Sequence, residues 1–187
     1  MFILCDTCVL LMLLRIAPEM LTDECYNCVI PPQVRDEIFK TQKFKEKYPW
    51  RSRFRAEVQP LPKSQLEEGV FLKVRQVVEL TSFGINEATG KRFSLSRVDK
   101  DIAACVQAFD YQLSTGDHDL RDFLKQEFSV SNVSPLEIVN DWLARALIEW
   151  DDEKQAVLED WKRCGEHAQP RSQVRHFKDI TGGEYPA

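Results

Sequence analysis

Short apolar runs alternate along this chain with longer stretches whose apolar residues recur at helical spacing. Phe2-Ile3-Leu4-Cys5 is a run of the first kind, ended by Asp6, and reads as a buried strand of a parallel sheet. Asp6 can N-cap the next element. Thr7 to Ile16 reads as a buried helix stopped before Pro18, with a second helix from about Pro18 to Cys25. Cys28-Val29-Ile30 is the next strand candidate; Pro31-Pro32 closes it and opens a helix from about Gln33 to Lys47. Pro49 to Pro62 is irregular, with room for a short strand near Val58. Lys63 to Leu80 carries Leu66, Val70, Phe71, Val74, Val77 and Val78, a helical pattern. Thr81 to Phe93 is polar, holds Gly84 and Gly90, and reads as a surface loop. Leu95-Ser96 leads into a helix with Val98, Ile102, Val106 and Phe109 on its apolar side. Tyr111 to Ser114 is a strand candidate ending at Thr115-Gly116-Asp117, and Phe128-Ser129-Val130 is the last one. Ser134-Pro135 then caps a helix to about Trp150, Asp151 to Cys164 continues helical but more polar, and Gln169 to Ala187 reads as a loose tail.

Strands alternating with helices predict an α/β sandwich around a mostly parallel sheet. The 187 residues suffice for one domain with a short appendage, and the division expected is 1–150 for the domain and 151–187 for a helical extension and tail. In such sheets ligands bind beyond the carboxyl ends of the strands, which directs attention to Asp6 and Asp117.

Composition narrows the class. With 43% hydrophobic and 29% charged residues the chain is an ordinary globular protein rather than a disordered one. The Leu-rich run from Met1 to Ile16 is broken by Asp6, lacks a basic lead and is too short to span a bilayer, so the reading is a cytoplasmic protein without membrane attachment. The six cysteines are then expected to be mostly reduced. The net charge of −5 argues against a generic nucleic-acid binder. Its distribution is uneven, however. Lys40, Lys43, Lys45, Lys47, Arg51, Arg53 and Arg55 fall in one stretch opposed only by Glu46, while the acidic excess lies largely after Asp99. A basic edge beside an acidic pocket suits an enzyme that grips phosphates and cuts with metal; a solvated helix end and loop would give the same basic run.

Two carboxylates at one sheet edge repel each other unless a cation lies between them, and hard oxygen ligands select Mg²⁺ or Mn²⁺. Glu37, after Pro31-Pro32, and Asp99, in the first turn of an alanine-rich helix, could complete the set. Two neighbours compete. Asp36 adjoins Glu37. Asp101 lies two residues from Asp99, roughly 200° around a helix, and both of those faces look partly buried.

The order of these motifs resembles the PIN-domain nucleases, including VapC-type toxins of toxin–antitoxin pairs. Asp6-Thr7 is similar to the family's first acidic position, and Pro31-Pro32-Gln33-Val34-Arg35-Asp36-Glu37 to its second. Leu95-Ser96-Arg97-Val98-Asp99-Lys100-Asp101-Ile102-Ala103-Ala104 is similar to the third, and Thr115-Gly116-Asp117 to the fourth. Ser134-Pro135-Leu136-Glu137 looks like the family's last strand-to-helix passage. The resemblance covers about Met1 to Trp150; the stretch from about Pro49 to Phe93 and everything beyond Trp150 depart from it. It implies a PIN-like three-layer α/β/α sandwich and a metal-dependent endoribonuclease. Asp6, Glu37, Asp99 and Asp117 would hold one or two Mg²⁺ or Mn²⁺ ions, with Thr115 and Asp119 supporting them. Arg51, Arg53, Arg55 and Arg97 would contact RNA phosphates, as could Lys100, while His118 reads as a solvated loop residue. The implied partners are RNA, an antitoxin or regulatory protein, and a second copy in a homodimer. Ala144, Leu147 and Ile148, near Trp142 and Trp150, offer apolar surface for that association.

Two rivals stand beside this. The first is a non-catalytic RNA- or protein-binding module on the same fold. The second is a four-cysteine zinc module made from Cys5-Asp6-Thr7-Cys8 and Cys25-Tyr26-Asn27-Cys28. Against zinc, neither pair carries a turn glycine, Cys5 belongs to an apolar strand, and an apolar helix separates the pairs. Walker, dinucleotide-binding and His-Glu-x-x-His motifs are absent.

Overall fold

The computed structural model describes residues 2–22, 27–163 and 169–186. Three parallel strands form the sheet: β1 (Phe2–Cys5), β2 (Asn27–Val29) and β5 (Gln112–Ser114), in the order β2-β1-β5. The central strand pairs Leu4 with Val29 on one side and Leu113 on the other, so Ile3, Leu4 and Cys5 are wholly buried. Isolated parallel bridges at both edges, Ile30 with Pro60 and Leu113 with Asn132, widen the sheet. The fold is thus mixed α/β, with helices around a small parallel sheet.

The helices follow the apolar pattern with informative departures. α1 (Thr7–Ile16) is capped by Asp6 and buried almost all round, as its unbroken apolar sequence requires. The turn after it is a 3₁₀ helix over Pro18–Leu21 rather than an α-helix to Cys25, and 23–26 lie outside the described residues. The helix expected from Gln33 to Lys47 is two, α2 (Pro32–Lys40) and α3 (Gln42–Lys47), parted at an extended Thr41. The break has a packing reason. An unbroken helix would point Phe44 roughly 140° away from Phe39, and both rings are buried. Pro49–Phe54 forms a second 3₁₀ helix. The Lys63 to Leu80 stretch likewise divides, into α4 (Lys63–Leu66) and α5 (Gly69–Thr81), around an extended Glu68.

Four further expectations are corrected. The strand near Val58 is a single bridge at Pro60, reinforced by the Leu61 amide donating to the Ile30 carbonyl at 2.8 Å. The polar Thr81 to Phe93 stretch is a small antiparallel hairpin, β3 (Ile85–Asn86) and β4 (Lys91–Arg92), turned by Gly90 at φ 68°. The last strand does not begin at Phe128. That residue ends α7 (His118–Phe128), Ser129 caps it at φ 58°, and the parallel contact falls at Asn132. α7 itself occupies a stretch for which the pattern predicts no element, although Leu120, Phe123 and Leu124 bury one face of it. Finally, the C-terminal stretch is not loose. α6 (Arg97–Phe109) is followed beyond α7 by α8 (Pro135–Ala144), α9 (Asp152–Arg163) and α10 (Arg171–Thr181). α10 packs on α8: Phe177 is fully buried, its ring stands 4.9 Å from that of Trp150, and the Asn140 amide donates to the Gln173 carbonyl at 2.9 Å. Of the apolar residues expected to seek a second copy, Ile148 is buried while Ala144 and Leu147 are exposed; the neighbouring Trp142 is fully buried. No helix among the described residues is long and apolar enough to cross a membrane.

Candidate active site

Asp6 comes directly after β1, and its amide donates to the Ser114 carbonyl of β5 at 3.1 Å, fixing it between two strand ends. Its Oδ1 accepts from the Val9 amide at 2.7 Å, the N-cap bond of α1. Its Oδ2 accepts from the Thr115 hydroxyl and, at 3.0 Å, from the Gly116 amide. The same Thr115 oxygen accepts from the Asp117 amide at 3.0 Å, and Asp117 Oδ1 caps α7 by accepting from Leu120 at 2.8 Å. Asn132 holds this turn from outside. Its Oδ1 accepts from the Thr115 amide at 2.9 Å and its Nδ2 donates to the Thr115 carbonyl at 3.3 Å. No local motif marks Asn132 in the sequence; only the bridge of Leu113 to Asn132 brings it here.

The other two carboxylates arrive on helices. Glu37 of α2 accepts from the Thr7 hydroxyl through Oε2 at 2.6 Å. Asp99, in the first turn of α6, completes a reciprocal capping box. Its Oδ2 accepts from the Ser96 amide at 2.7 Å, and the Ser96 hydroxyl accepts from the Asp99 amide at 3.1 Å. Both sequence ambiguities resolve. Asp36 is exposed and pairs with Lys40 at 2.8 Å, whose hydrogen bond holds its carboxyl below the usual range. Asp101 is buried and pairs with Arg75 at 2.7 Å; Arg75 and Lys100 both reach Glu79, also at 2.7 Å.

Asp6, Glu37, Asp99 and Asp117 together line one cavity of about 530 Å³, along with Thr7, Cys8 and Lys43. Four carboxylates facing one lysine concentrate negative potential there. As the side chains stand, no three His, Cys, Asp or Glu among the described residues are gathered closely enough to hold an ion. The donor chemistry nevertheless fits a hard divalent cation. The hydrogen bonds to Glu37, Asp99 and Asp117 each fall on a single carboxylate oxygen, which leaves the other for a ligand.

No family model, curated protein or solved structure matches this chain.

The remaining expected site residues divide. Thr115 supports the acids through the bonds above. Asp119 faces elsewhere: it accepts from the Ser94 amide at 3.2 Å and from Asn86 at 3.4 Å, tying the β3–β4 hairpin to α7. Arg51 is removed from the basic surface. It is buried, donating to the Ile38 carbonyl at 2.6 Å and the Tyr48 carbonyl at 3.2 Å, so it closes the ends of α2 and α3 instead of gripping substrate. Arg53 and Arg55 are exposed, Arg55 lying 4.7 Å from the Phe39 ring centroid. Arg97 is exposed at the start of α6, about 200° around the helix from Asp99, and does not line the cavity. His118 Nδ1 lies 3.0 Å from Arg121. Thr7, the small polar residue of the first motif, and Lys43, of the basic stretch, also line the cavity, though neither was expected as a site residue. For the zinc rival, Cys25 lies outside the described residues, while Cys5 is fully buried. A hydrogen bond with Cys28, then burial, holds the Cys5 thiol well above its ordinary range, opposing the thiolate that zinc requires.

Proposed function

We propose that this chain is a metal-dependent endoribonuclease of the PIN-domain type, a three-layer α/β/α sandwich acting on RNA in the cytoplasm. The observation that carries the reading is the meeting of Asp6, Glu37, Asp99 and Asp117, from four separated segments, on one cavity at the carboxyl ends of β1 and β5. Those carboxylates would hold Mg²⁺ or Mn²⁺, which when bound supplies an activated water and neutralises charge developing on the phosphodiester. Thr115 fixes the orientation of Asp6, and Thr7 that of Glu37. Lys43 on the wall supplies positive charge for a phosphate beside the cut, and the RNA contact of Arg97 rests on the resemblance. In a toxin–antitoxin setting a regulatory protein would silence such a site by presenting a basic side chain to the carboxylates. Homodimer formation rests on the resemblance; of the residues expected to mediate it, Ala144 and Leu147 are exposed and Ile148 is buried.

A non-catalytic binding module is the second reading, favoured by one observation: each of the four acids also has a local structural task, in a cap or a hydroxyl bond. The experiment that separates them is cleavage of single-stranded RNA by the purified chain with Mn²⁺ or Mg²⁺. The nuclease reading expects cleavage, its loss on chelation, and inactivity of Asp6→Asn. Folded protein that binds RNA and leaves it intact with either metal would establish the module instead.

A further inference from the structure

A second cavity, of about 520 Å³, opens at the other end of α1. It is lined by Arg15 and, from the 3₁₀ helix Pro49–Phe54, by Trp50, Arg53 and Phe54; α9 closes it with Glu153 and Lys154. The two stretches that depart from the PIN pattern, beginning at Pro49 and after Trp150, meet here, while the stretch between Asp6 and Arg15 carries the pattern's first acid at its start. Asp6 and Arg15 are separated along α1 by about 14 Å at 1.5 Å per residue.

The cavity sets two rings among mostly paired charges: Arg15 pairs with Asp160 and Lys154 with Asp151, Glu153 shares the wall, and Arg53 is exposed to solvent. The Trp50 and Phe54 rings meet edge to face at 6.0 Å, both are only half-buried, and the Arg15 guanidinium lies 5.3 Å from the Trp50 centroid while it pairs with Asp160. A ladder of rings links this cavity to the acidic one. Phe44, beside the carboxylates, stacks on Tyr48 at 5.9 Å, and Tyr48 meets Trp50 at 5.8 Å. Lys43 and Lys47 lie over the first two rings at 5.7 and 5.0 Å, so positive charge runs along the ladder between the two cavities. Phe44 and Tyr48 are buried, so the stacking surface is Trp50 and Phe54, half-exposed rings beside Arg15 and Arg53 of the kind on which unpaired bases stack while a phosphate is held alongside. A duplex keeps its bases inside and offers nothing to such a pocket.

We propose that this second cavity is a binding site for single-stranded RNA, stacking a base against Trp50 and Phe54 and holding a phosphate at Arg53, a few nucleotides from the bond to be cut. The ligand class rests on the ribonuclease reading; the site's residues are distinct from the four acids.

The test is fluorescence anisotropy with the full chain, a labelled oligouridylate of about ten nucleotides, and EDTA present so that cleavage does not enter. Arg53→Glu, at an exposed position, and Trp50→Leu are each expected to raise the Kd about tenfold, while Lys73→Glu, exposed on α5 and lining neither cavity, binds as wild type does. Arg53→Glu should also lower the salt slope by about 0.7, the loss of one phosphate contact. A 4-thiouridine oligonucleotide should crosslink wild-type protein at Trp50 or Phe54, which serves even if Trp50→Leu does not fold. Unchanged affinity in Arg53→Glu with crosslinks mapped elsewhere would overturn the site, as would equal competition by oligoglutamate, which would make it a general anion surface. The two readings fail separately. Wild-type protein that crosslinks here but cleaves nothing with Mn²⁺ retains the site and loses the nuclease; cleavage with binding indifferent to Arg53 and Trp50 does the reverse.

Discussion

Thr115 and Asp6 lie 109 residues apart in sequence, yet the Thr115 hydroxyl donates to Asp6 Oδ2 while accepting from the Asp117 amide. One hydroxyl thereby fixes two of the four cavity acids relative to each other, across the seam between β1 and β5. Removing it should loosen both. Thr115→Val is expected to cost about 1–2 kcal/mol of stability and to lower cleavage about ten- to a hundredfold. Thr115→Ser, which keeps the oxygen, should recover most of both. Urea unfolding and initial cleavage rates on the two variants check this; equal loss in Thr115→Ser would mean that the methyl group, not the hydroxyl, matters.

Asp6→Asn and Asp117→Asn should each abolish cleavage while the fold survives, because an asparagine oxygen still caps α1 or α7. Asp6→Ala differs. It strands the Val9, Gly116 and Thr115 donors and should lower stability by about 1–2 kcal/mol. Circular-dichroism melts beside an activity assay separate the two effects.

Asp99 and Asp101 should respond in opposite ways to the same change. Asp101→Asn breaks a largely buried ion pair with Arg75 and should destabilise the chain by about 3 kcal/mol while leaving the specific activity of the folded fraction intact. Asp99→Asn should remove activity at little cost in stability, since the Ser96 oxygen still accepts from the residue 99 amide. Loss of stability in Asp99→Asn together with retained activity would exchange their roles.

Phe177→Ala should destabilise the protein by about 3–4 kcal/mol, the usual cost of deleting a fully buried ring. It should also expose Trp150 to water, shifting tryptophan emission to the red, and promote self-association through the uncovered α8 surface. Light scattering and emission spectra read both; an unaltered Tm would show α10 to be dispensable.

Stability should fall in alkali. Burial pushes the Cys105 thiol from 9.0 up to about 12, and burial likewise raises the Tyr185 hydroxyl above 10.0. Between the unfolded and folded values the native state holds the proton that the unfolded chain has lost. This contribution is complete below pH 9 and declines as pH rises towards 12. Urea midpoints measured from pH 8 to 10.5 should therefore decrease, and Cys105→Ala should show a shallower decline. Among Cys5, Cys8, Cys28 and Cys105, the half-buried Cys8 should be alkylated first at pH 8, the other three being buried.

Local order was legible in the sequence where neighbours in the chain decide it. The run Phe2 to Cys5, the Asp6 cap, the helix stopped before Pro18 and the helix led in by Leu95-Ser96 each depend on residues within a turn of one another, and so do the strand ends that present Asp6 and Asp117. That was enough to point to Asp6 and Asp117; the choice of Glu37 over Asp36 and of Asp99 over Asp101 came from the resemblance, and all four line one cavity. Tertiary structure alone decided what depends on distant partners. Asp99 and Asp101 look alike from a helical period, and only Arg75 on α5 takes Asp101 out of contention. Arg51 reads as one more surface cation until the Ile38 and Tyr48 carbonyls claim it. The sparse apolar residues of α10 read as a loose tail because Phe177 finds its reason in packing against Trp150 and Tyr185. Periodicity records which residues avoid water; which element provides the shelter is set by packing between segments far apart in the chain, and no short window of sequence contains both sides of that contact.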